Sequence, residues 1–262
     1  MLNNKNIVII GGTSGLGLSA AQAFIKNGAR VLAVGRNPDT CRQAQEQLGS
    51  NAKVVAGDAA LEKTASEAIA LCIKEWKSFD GIYHVAGGSG RKMGDGPLHE
   101  ITLEGWNKTL ELNLTSLMLS NRAAVRAFRE AKSGGSILNM SSVLGYSPAP
   151  TFFTTHSYAA AKAAIIGFSK SLAAYYAKDN IRINVLAPAL VETPMAQRAA
   201  TDKVILDYIS TKQPLDGGRI GRSDDLDGAA CFFLSDHSKF TTGQVLAIDG
   251  GWCVSEGQIN KV

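Results

Sequence analysis

Along the chain, short apolar runs alternate with stretches whose apolar residues recur at helical spacing. The runs fall at 7–10, 30–34, 53–56, 81–85, 136–140, 181–186 and 245–248. Most are near-continuous series of Val, Ile, Leu and Ala, such as Ile7-Val8-Ile9-Ile10, rather than in/out alternations. A strand with one wet face alternates, whereas a strand covered on both faces does not. The spacing predicts helices between the runs, at about 15–24, 39–48, 61–76, 103–131, 156–178 and 223–234. Strand–helix–strand repetition of this kind implies a doubly wound α/β fold: one parallel seven-stranded sheet, right-handed crossovers and helices on both faces. With no repeat, low-complexity tract or linker, one domain over 1–262 is the expectation. Ligands of such sheets bind beyond the carboxyl ends of the strands, near the point where strand order reverses. The residues just after each strand are therefore where chemistry is to be sought.

Composition narrows the classes. The chain has 262 residues and 45% hydrophobic residues, enough for a substantial core and too apolar for disorder. Lys and Arg number 27 against 23 Asp and Glu, a net charge of +4 with no basic stripe, which argues against nucleic acid as a partner. No apolar run approaches the roughly 20 residues of a membrane span, so no membrane partner is expected. The polar opening Met1–Asn6 leads straight into the first run, so no signal peptide and a cytoplasmic location are expected. Cys41, Cys72, Cys231 and Cys253 lack metal-clip spacing and read as reduced, mostly packed thiols. His84, His99, His156 and His237 are scattered, and no metal site is expected.

The first run breaks into Gly11-Gly12-Thr13-Ser14-Gly15-Leu16-Gly17 and then a helical pattern. A glycine-rich turn opening a helix lets the backbone approach a pyrophosphate and offers it free N–H groups and a partial positive charge. Gly15-Leu16-Gly17-Leu18-Ser19-Ala20 also fits G-x-G-x-x-A, but it starts late after the strand, so Gly-x-x-x-Gly-x-Gly describes the turn better. A tight turn without a ligand has the same look. At the end of the second strand, where a carboxylate would accept from a ribose 2′-hydroxyl, stands Arg36. A guanidinium suits a 2′-phosphate, so NADP(H) is expected in preference to NAD(H), although a solvated strand-end arginine is common.

Tyr158 and Lys162 stand four apart in an alanine-rich helical segment and so share one face. A free tyrosine titrates near ~10, too high for ready proton exchange at neutral pH, and a nearby ammonium favours the phenolate. Such pairs also occur on ordinary helices. Position sets this one apart: the strand 136–140 ends at Ser141-Ser142, where a hydroxyl can donate to a carbonyl oxygen. The segment lacks the flanking glycines of a nucleophile elbow, so it does not read as a hydrolase.

Taken together, Gly11-x-x-x-Gly15-x-Gly17, Asn113, Ser142 and Tyr158-x-x-x-Lys162 closely resemble the short-chain dehydrogenase/reductase family, over essentially the whole chain. Asp58, His84-Val85-Ala86-Gly87, Ile181–Thr193, Gly221–Leu226 and Thr242–Gly251 fit the same frame. The resemblance implies a Rossmann-like fold and an oxidoreductase that moves hydride between NADP(H), or NAD(H), and a carbonyl or secondary alcohol. It implies Tyr158 as general acid/base, with Lys162 lowering its pKa and binding the nicotinamide ribose. It also implies that Ser142 polarises the carbonyl and that Asn113 holds a proton-relaying water. Cofactor contacts are implied for Gly11, Thr13, Ser14, Gly15, Leu16, Gly17, Arg36, Asp58, Ala59, Ala86, Gly87, Tyr158, Lys162, Pro188, Val191 and Thr193.

Departures from the family pattern are Ile10 for threonine, His84 and Val85 for two asparagines, and Ala189 for glycine. They touch support of the cofactor loops. The interval from Ser142 to Tyr158 is longer than usual, which leaves Ser141 as the alternative hydroxyl. The Gly87–Gly96 loop, the Tyr146–His156 segment and a lid at 194–214 should line the substrate pocket, the lid mixing Met195, Ile205, Leu206 and Tyr208 with charges. Arg91 and Lys92 would suit an anionic substrate, or are simply solvated. A 3-oxoacyl-acyl-carrier-protein reductase is an alternative, with Arg126, Arg129, Lys132 and Lys178 as docking cations, and a non-catalytic nucleotide sensor is another. The family habit of pairing its long helices implies a homo-oligomer, a tetramer.

Overall fold

The near-continuous apolar runs become β1 (Asn6–Ile10), β2 (Arg30–Gly35), β3 (Ala52–Ala56), β4 (Gly81–His84), β5 (Gly135–Met140), β6 (Ile181–Pro188) and β7 (Val245–Ile248) in a computed structural model that describes residues 1–258. They form one parallel sheet in the order β3-β2-β1-β4-β5-β6-β7. Alternate residues of β1 go to opposite faces: Ile7 and Ile9 join one apolar cluster, Val8 and Ile10 the other. The first cluster is completed by Phe24 from α1 (Gly15–Lys26) and Phe233 from α9 (Asp227–Leu234), the second by Ile69 and Phe128 from α3 (Glu62–Trp76) and α5 (Ser116–Ala131). Burial on both faces explains why the central strands β1 and β2 carry no alternation in sequence. Between β2 and β3 lies α2 (Pro38–Leu48), started by Pro38 in its first turn and by Asn37, whose side chain accepts from the amides of Asp39 and Thr40.

The stretch expected as one helix over 103–131 is interrupted. It consists of α4 (Leu103–Leu110), a π-helical turn at Glu111–Thr115, and α5. A π-turn inserts an extra residue into a helix and is frequent at functional sites. It contains Asn113, fully buried. Next come α6 (His156–Tyr176) and, in the expected lid, α7 (Gln197–Thr201) and α8 (Lys203–Lys212). Ile205, Tyr208 and Ile209 of α8 pack with Val143, Ala149 and Trp252 into a separate apolar cluster above the sheet. Cys41, Cys72 and Cys231 are buried free thiols and Cys253 is exposed. Among the described residues no helix is long and apolar enough to cross a membrane, and no group of His, Cys, Asp or Glu is placed to hold a metal ion.

Candidate active site

Strand order reverses between β1 and β4, and the glycine turn sits there. Gly11 has φ +89°, and a Cβ on it would come within 2.6 Å of the Ala86 amide nitrogen. A Cβ on Gly17 would stand 2.0 Å from the Gly11 carbonyl oxygen. Glycine at these positions thus lets the start of α1 close on the end of β1 and on the loop after β4. Ser14 is the N-cap of α1 but makes no side-chain capping bond, and the first turn carries no acid. Its orphan N–H groups and helix dipole therefore suit a phosphate. Thr13 is buried against Gly35, and Arg36 follows Gly35, exposed and without an ion pair among the described residues. Asp58 and Ala59 lie beside it: the Gly57 amide donates to the Gly35 carbonyl at 2.8 Å, and Asp58 Oδ1 accepts from the Ala60 amide at 3.0 Å.

Beyond β4, Asn113 holds the Gly88 backbone from both sides. Its Oδ1 accepts from the Gly88 amide at 3.1 Å, and its Nδ2 donates to the carbonyls of Gly88 and Thr109, each at 2.9 Å. A Cβ on Gly87 would meet Asn113 Oδ1 at 2.7 Å and Lys162 Nζ at 3.6 Å, so these groups converge where only a glycine fits. The departures His84 and Val85 find substitutes for the family's cross-link. His84 Nδ1 bonds Ser120 Oγ at 2.9 Å and its Nε2 lies 3.4 Å from Ser116 Oγ, tying β4 to α5. Burial, helped by the Lys162 ammonium, pushes the His84 pKa down to about 3, so the link is a neutral imidazole. The Val85 and Ala86 amides both donate to the Ile10 carbonyl, which joins β1 to β4 without a threonine hydroxyl.

On α6, Lys162 Nζ lies 5.4 Å from the centre of the Tyr158 ring and donates to the Met140 carbonyl at 3.0 Å. Ser141 is taken: its hydroxyl donates to the Lys162 carbonyl at 2.7 Å. Ser142, at the end of β5, is the hydroxyl that reaches the phenol, and it also donates to the Pro188 carbonyl at 3.3 Å. Proximity of Lys162 does not by itself make the phenol acidic. Burial raises Tyr158 to about 12, with Ser142 working the other way, and burial lowers Lys162 to about 8. Both groups are held toward their neutral forms by desolvation.

Sequence reasoning missed Asp95. Thr155, the N-cap of α6, makes no side-chain capping bond. The cap comes from far away in the chain: Asp95 Oδ1 and Oδ2 accept from the Ser157 and Tyr158 amides, each at 2.9 Å. A carboxylate between Gly94 and Gly96 was the only signal in the sequence.

The segment after β6 spans the two halves of the site. Pro188 meets Ser142, Val191 forms a bridge with Gly221, and a Cβ on Gly15 would lie 3.5 Å from Thr193 Cγ2. At the carboxyl ends of the strands, the glycine turn, Arg36 and Asp58 thus follow β1, β2 and β3, while Asn113, Ser142, Tyr158 and Lys162 gather beyond β4 and β5.

A family model described as enoyl-(acyl carrier protein) reductase matches residues 11–253. Over 257 residues the chain is 34% identical to the 3-oxoacyl-[acyl-carrier-protein] reductase FabG of Chlamydia trachomatis, covering 96% of this chain and 98% of that protein. A short-chain type dehydrogenase/reductase from Mycobacterium ulcerans superposes with a TM-score of 0.89 at 27% identity, over 98% of this chain and 92% of that one. A structure of ElxO with NADP bound gives a TM-score of 0.83 at 27% identity, over 95% and 98% of the two chains. The chain belongs to the short-chain dehydrogenase/reductase family of oxidoreductases.

Proposed function

We propose that this oxidoreductase moves hydride between NADP(H) and a carbonyl or secondary alcohol of a small molecule, with Tyr158 as its general acid/base. The observation that carries the reading is the convergence of Asn113, Ser142, Tyr158 and Lys162 beside an uncapped glycine-rich helix start. The bound dinucleotide supplies or accepts the hydride; the chain supplies position and proton management. Gly11, Thr13, Ser14, Gly15, Leu16 and Gly17 cradle the pyrophosphate, Asp58 and Ala59 flank the adenine end, and Ala86, Gly87, Pro188, Val191 and Thr193 line the nicotinamide end. Arg36 takes the 2′-phosphate, since no carboxylate competes at that strand end; the NADP held by the similar ElxO chain supports the same preference. NAD(H) is accepted more weakly.

Ser142 donates to the reacting oxygen, and the protonated Tyr158 phenol delivers a proton to it in the reducing direction. In oxidation Tyr158 takes that proton back. Lys162, whose ammonium lies within reach of Gly87 and Met140, binds ribose hydroxyls and favours the phenolate. Asn113, fixed by the π-turn, orders the water path by which Tyr158 is reprotonated. Residues 1–262 act as one cofactor-binding and catalytic domain, with 194–214 as the substrate lid, in a cytoplasmic homotetramer paired through its long helices.

A second reading has support in the Chlamydia relative's name: reduction of 3-oxoacyl groups on acyl carrier protein. Two of its four docking cations are occupied locally, Arg129 by Asp179 and Lys178 over the Tyr175 ring. Side-by-side titration with NADPH and NADH, repeated in Arg36→Ala, tests the cofactor. Tighter NADPH binding that Arg36→Ala abolishes is expected; equal affinities unmoved by the substitution would remove the preference. Turnover of free ketones against an acyl-carrier thioester separates the two substrates.

A further inference from the structure

The three segments expected to line the substrate pocket meet at one atom. An Arg91 guanidinium nitrogen, from the loop after β4, donates to the Phe152 carbonyl oxygen at 3.2 Å. An Arg198 guanidinium nitrogen, from α7 in the lid, donates to the same oxygen at 3.1 Å. Both bonds are at the long end for N–H···O. Two cations from separate elements therefore share one neutral acceptor, and neither has an ion pair among the described residues. Burial and the Arg198 charge both work against the Arg91 charge, and the Asp95 carboxylate only partly offsets them. Asp95, the acid nearest to Arg91 in the loop, is already taken up by the amides of α6. Two guanidiniums drawn to one neutral carbonyl carry a mutual repulsion that a carboxylate between them would relieve, and arginine suits carboxylate in a planar, two-bond geometry.

The loop that carries Arg91 is anchored to the site at two points. Near its start Asn113 grips Gly88, and near its end Asp95 holds the Tyr158 amide. Below the shared carbonyl, the Phe152 ring packs 5.0 Å from that of Tyr208, in an apolar wall with Leu144, Ile205 and Trp252. The loop after β4 thus links the first turn of α6, which carries Tyr158, to the two cations at Phe152 and the apolar cluster that the Phe152 ring joins. We infer, on the hydride-transfer reading given above, that the substrate is a small oxo- or hydroxy-carboxylate, its carboxylate bound between Arg91 and Arg198 while its reacting carbon lies at Ser142 and Tyr158. A single shared acceptor points to one carboxylate on a small molecule rather than to the broad acidic face of a carrier protein.

The test uses the purified full chain, NADPH, and a matched pair of probes, 4-oxocyclohexanecarboxylate and its methyl ester. The acid should be reduced with the higher kcat/KM, and its KM should rise with salt. In Arg91→Gln and in Arg198→Gln the loss with the acid should exceed the loss with the ester by about tenfold, the scale of one charge-assisted bond. Equal use of acid and ester, or variants that affect both alike, would overturn the carboxylate site while leaving the oxidoreductase reading intact. Where neither probe turns over, the readout is the melting shift of the NADPH-loaded protein with cyclohexanecarboxylate against cyclohexanecarboxamide. A shift produced by the carboxylate alone and lost in the double variant upholds the site independently of turnover; equal shifts, or none, overturn the site.

Discussion

Asp95 and Tyr158, far apart in the chain, are joined directly: the carboxylate accepts the tyrosine's own backbone amide at 2.9 Å. The other carboxylate oxygen takes the neighbouring Ser157 amide, so one buried acid caps α6 and closes the substrate loop onto it. Anions at a helix start satisfy orphan donors and complement the dipole.

Replacing Asp95 by Asn keeps the shape but turns one acceptor into a donor facing an N–H. The expected cost is about 1–2 kcal/mol of folding stability, measured by denaturant unfolding. Because Tyr158 moves with the first turn of α6, kcat should fall by about tenfold while the NADPH dissociation constant stays put. A stability loss with unchanged kcat would make Asp95 a helix cap and nothing more.

His84 gives a pH signature. Its imidazole is pushed down to about 3 in the folded protein from about 6.5, so the unfolded chain binds the extra proton. The stability it contributes is present above about pH 6.5 and is lost as pH falls toward 3. The slope is about 1.4 kcal/mol per pH unit for one proton. In His84→Asn, which keeps a donor and an acceptor for Ser116 and Ser120, urea unfolding as a function of pH should lose that component.

Lys162 sets an upper pH limit on the free enzyme. Burial lowers it to about 8, so the ammonium that should bind ribose hydroxyls is lost as pH rises through that value. The pH profile of kcat/KM for reduction should therefore descend with an apparent pKa near 8. Lys162→Arg, whose guanidinium does not deprotonate, should remove this limb. For stability the sign is opposite: a depressed amine favours the folded state increasingly as pH rises from about 8 toward 10.5.

Gly87→Ala tests the junction of Asn113 and Lys162. The added Cβ would stand 2.7 Å from Asn113 Oδ1, so Asn113 must give way. A loss of about 1–3 kcal/mol in stability is expected, together with a fall in kcat that exceeds any change in cofactor affinity.

The sheet was readable because burial on both faces writes itself into sequence as unbroken apolar runs; Ile7–Ile10, buried throughout, shows this directly. The glycine turn and the Tyr158–Lys162 pair are local motifs whose spacing already states their geometry. What stayed hidden is non-local or energetic. Glu111–Thr115 continues a helical pattern, and nothing in it marks the extra residue of the π-turn. Asp95 caps a helix that begins far downstream, so its partner is invisible until the chain is folded. The neutral-favouring shifts of Tyr158 and Lys162 come from depth of burial, which outweighs the pairwise attraction that their spacing suggested.

The most direct measurement pairs cofactor binding with turnover in Tyr158→Phe, which removes one hydroxyl and leaves the ring beside Lys162. NADPH should bind as it does to the unaltered chain, while NADPH-dependent reduction of any accepted ketone should fall by about two to four orders of magnitude, the range of a lost general acid. Turnover that survives the substitution unchanged would contradict the assignment of Tyr158 and with it the account of this site.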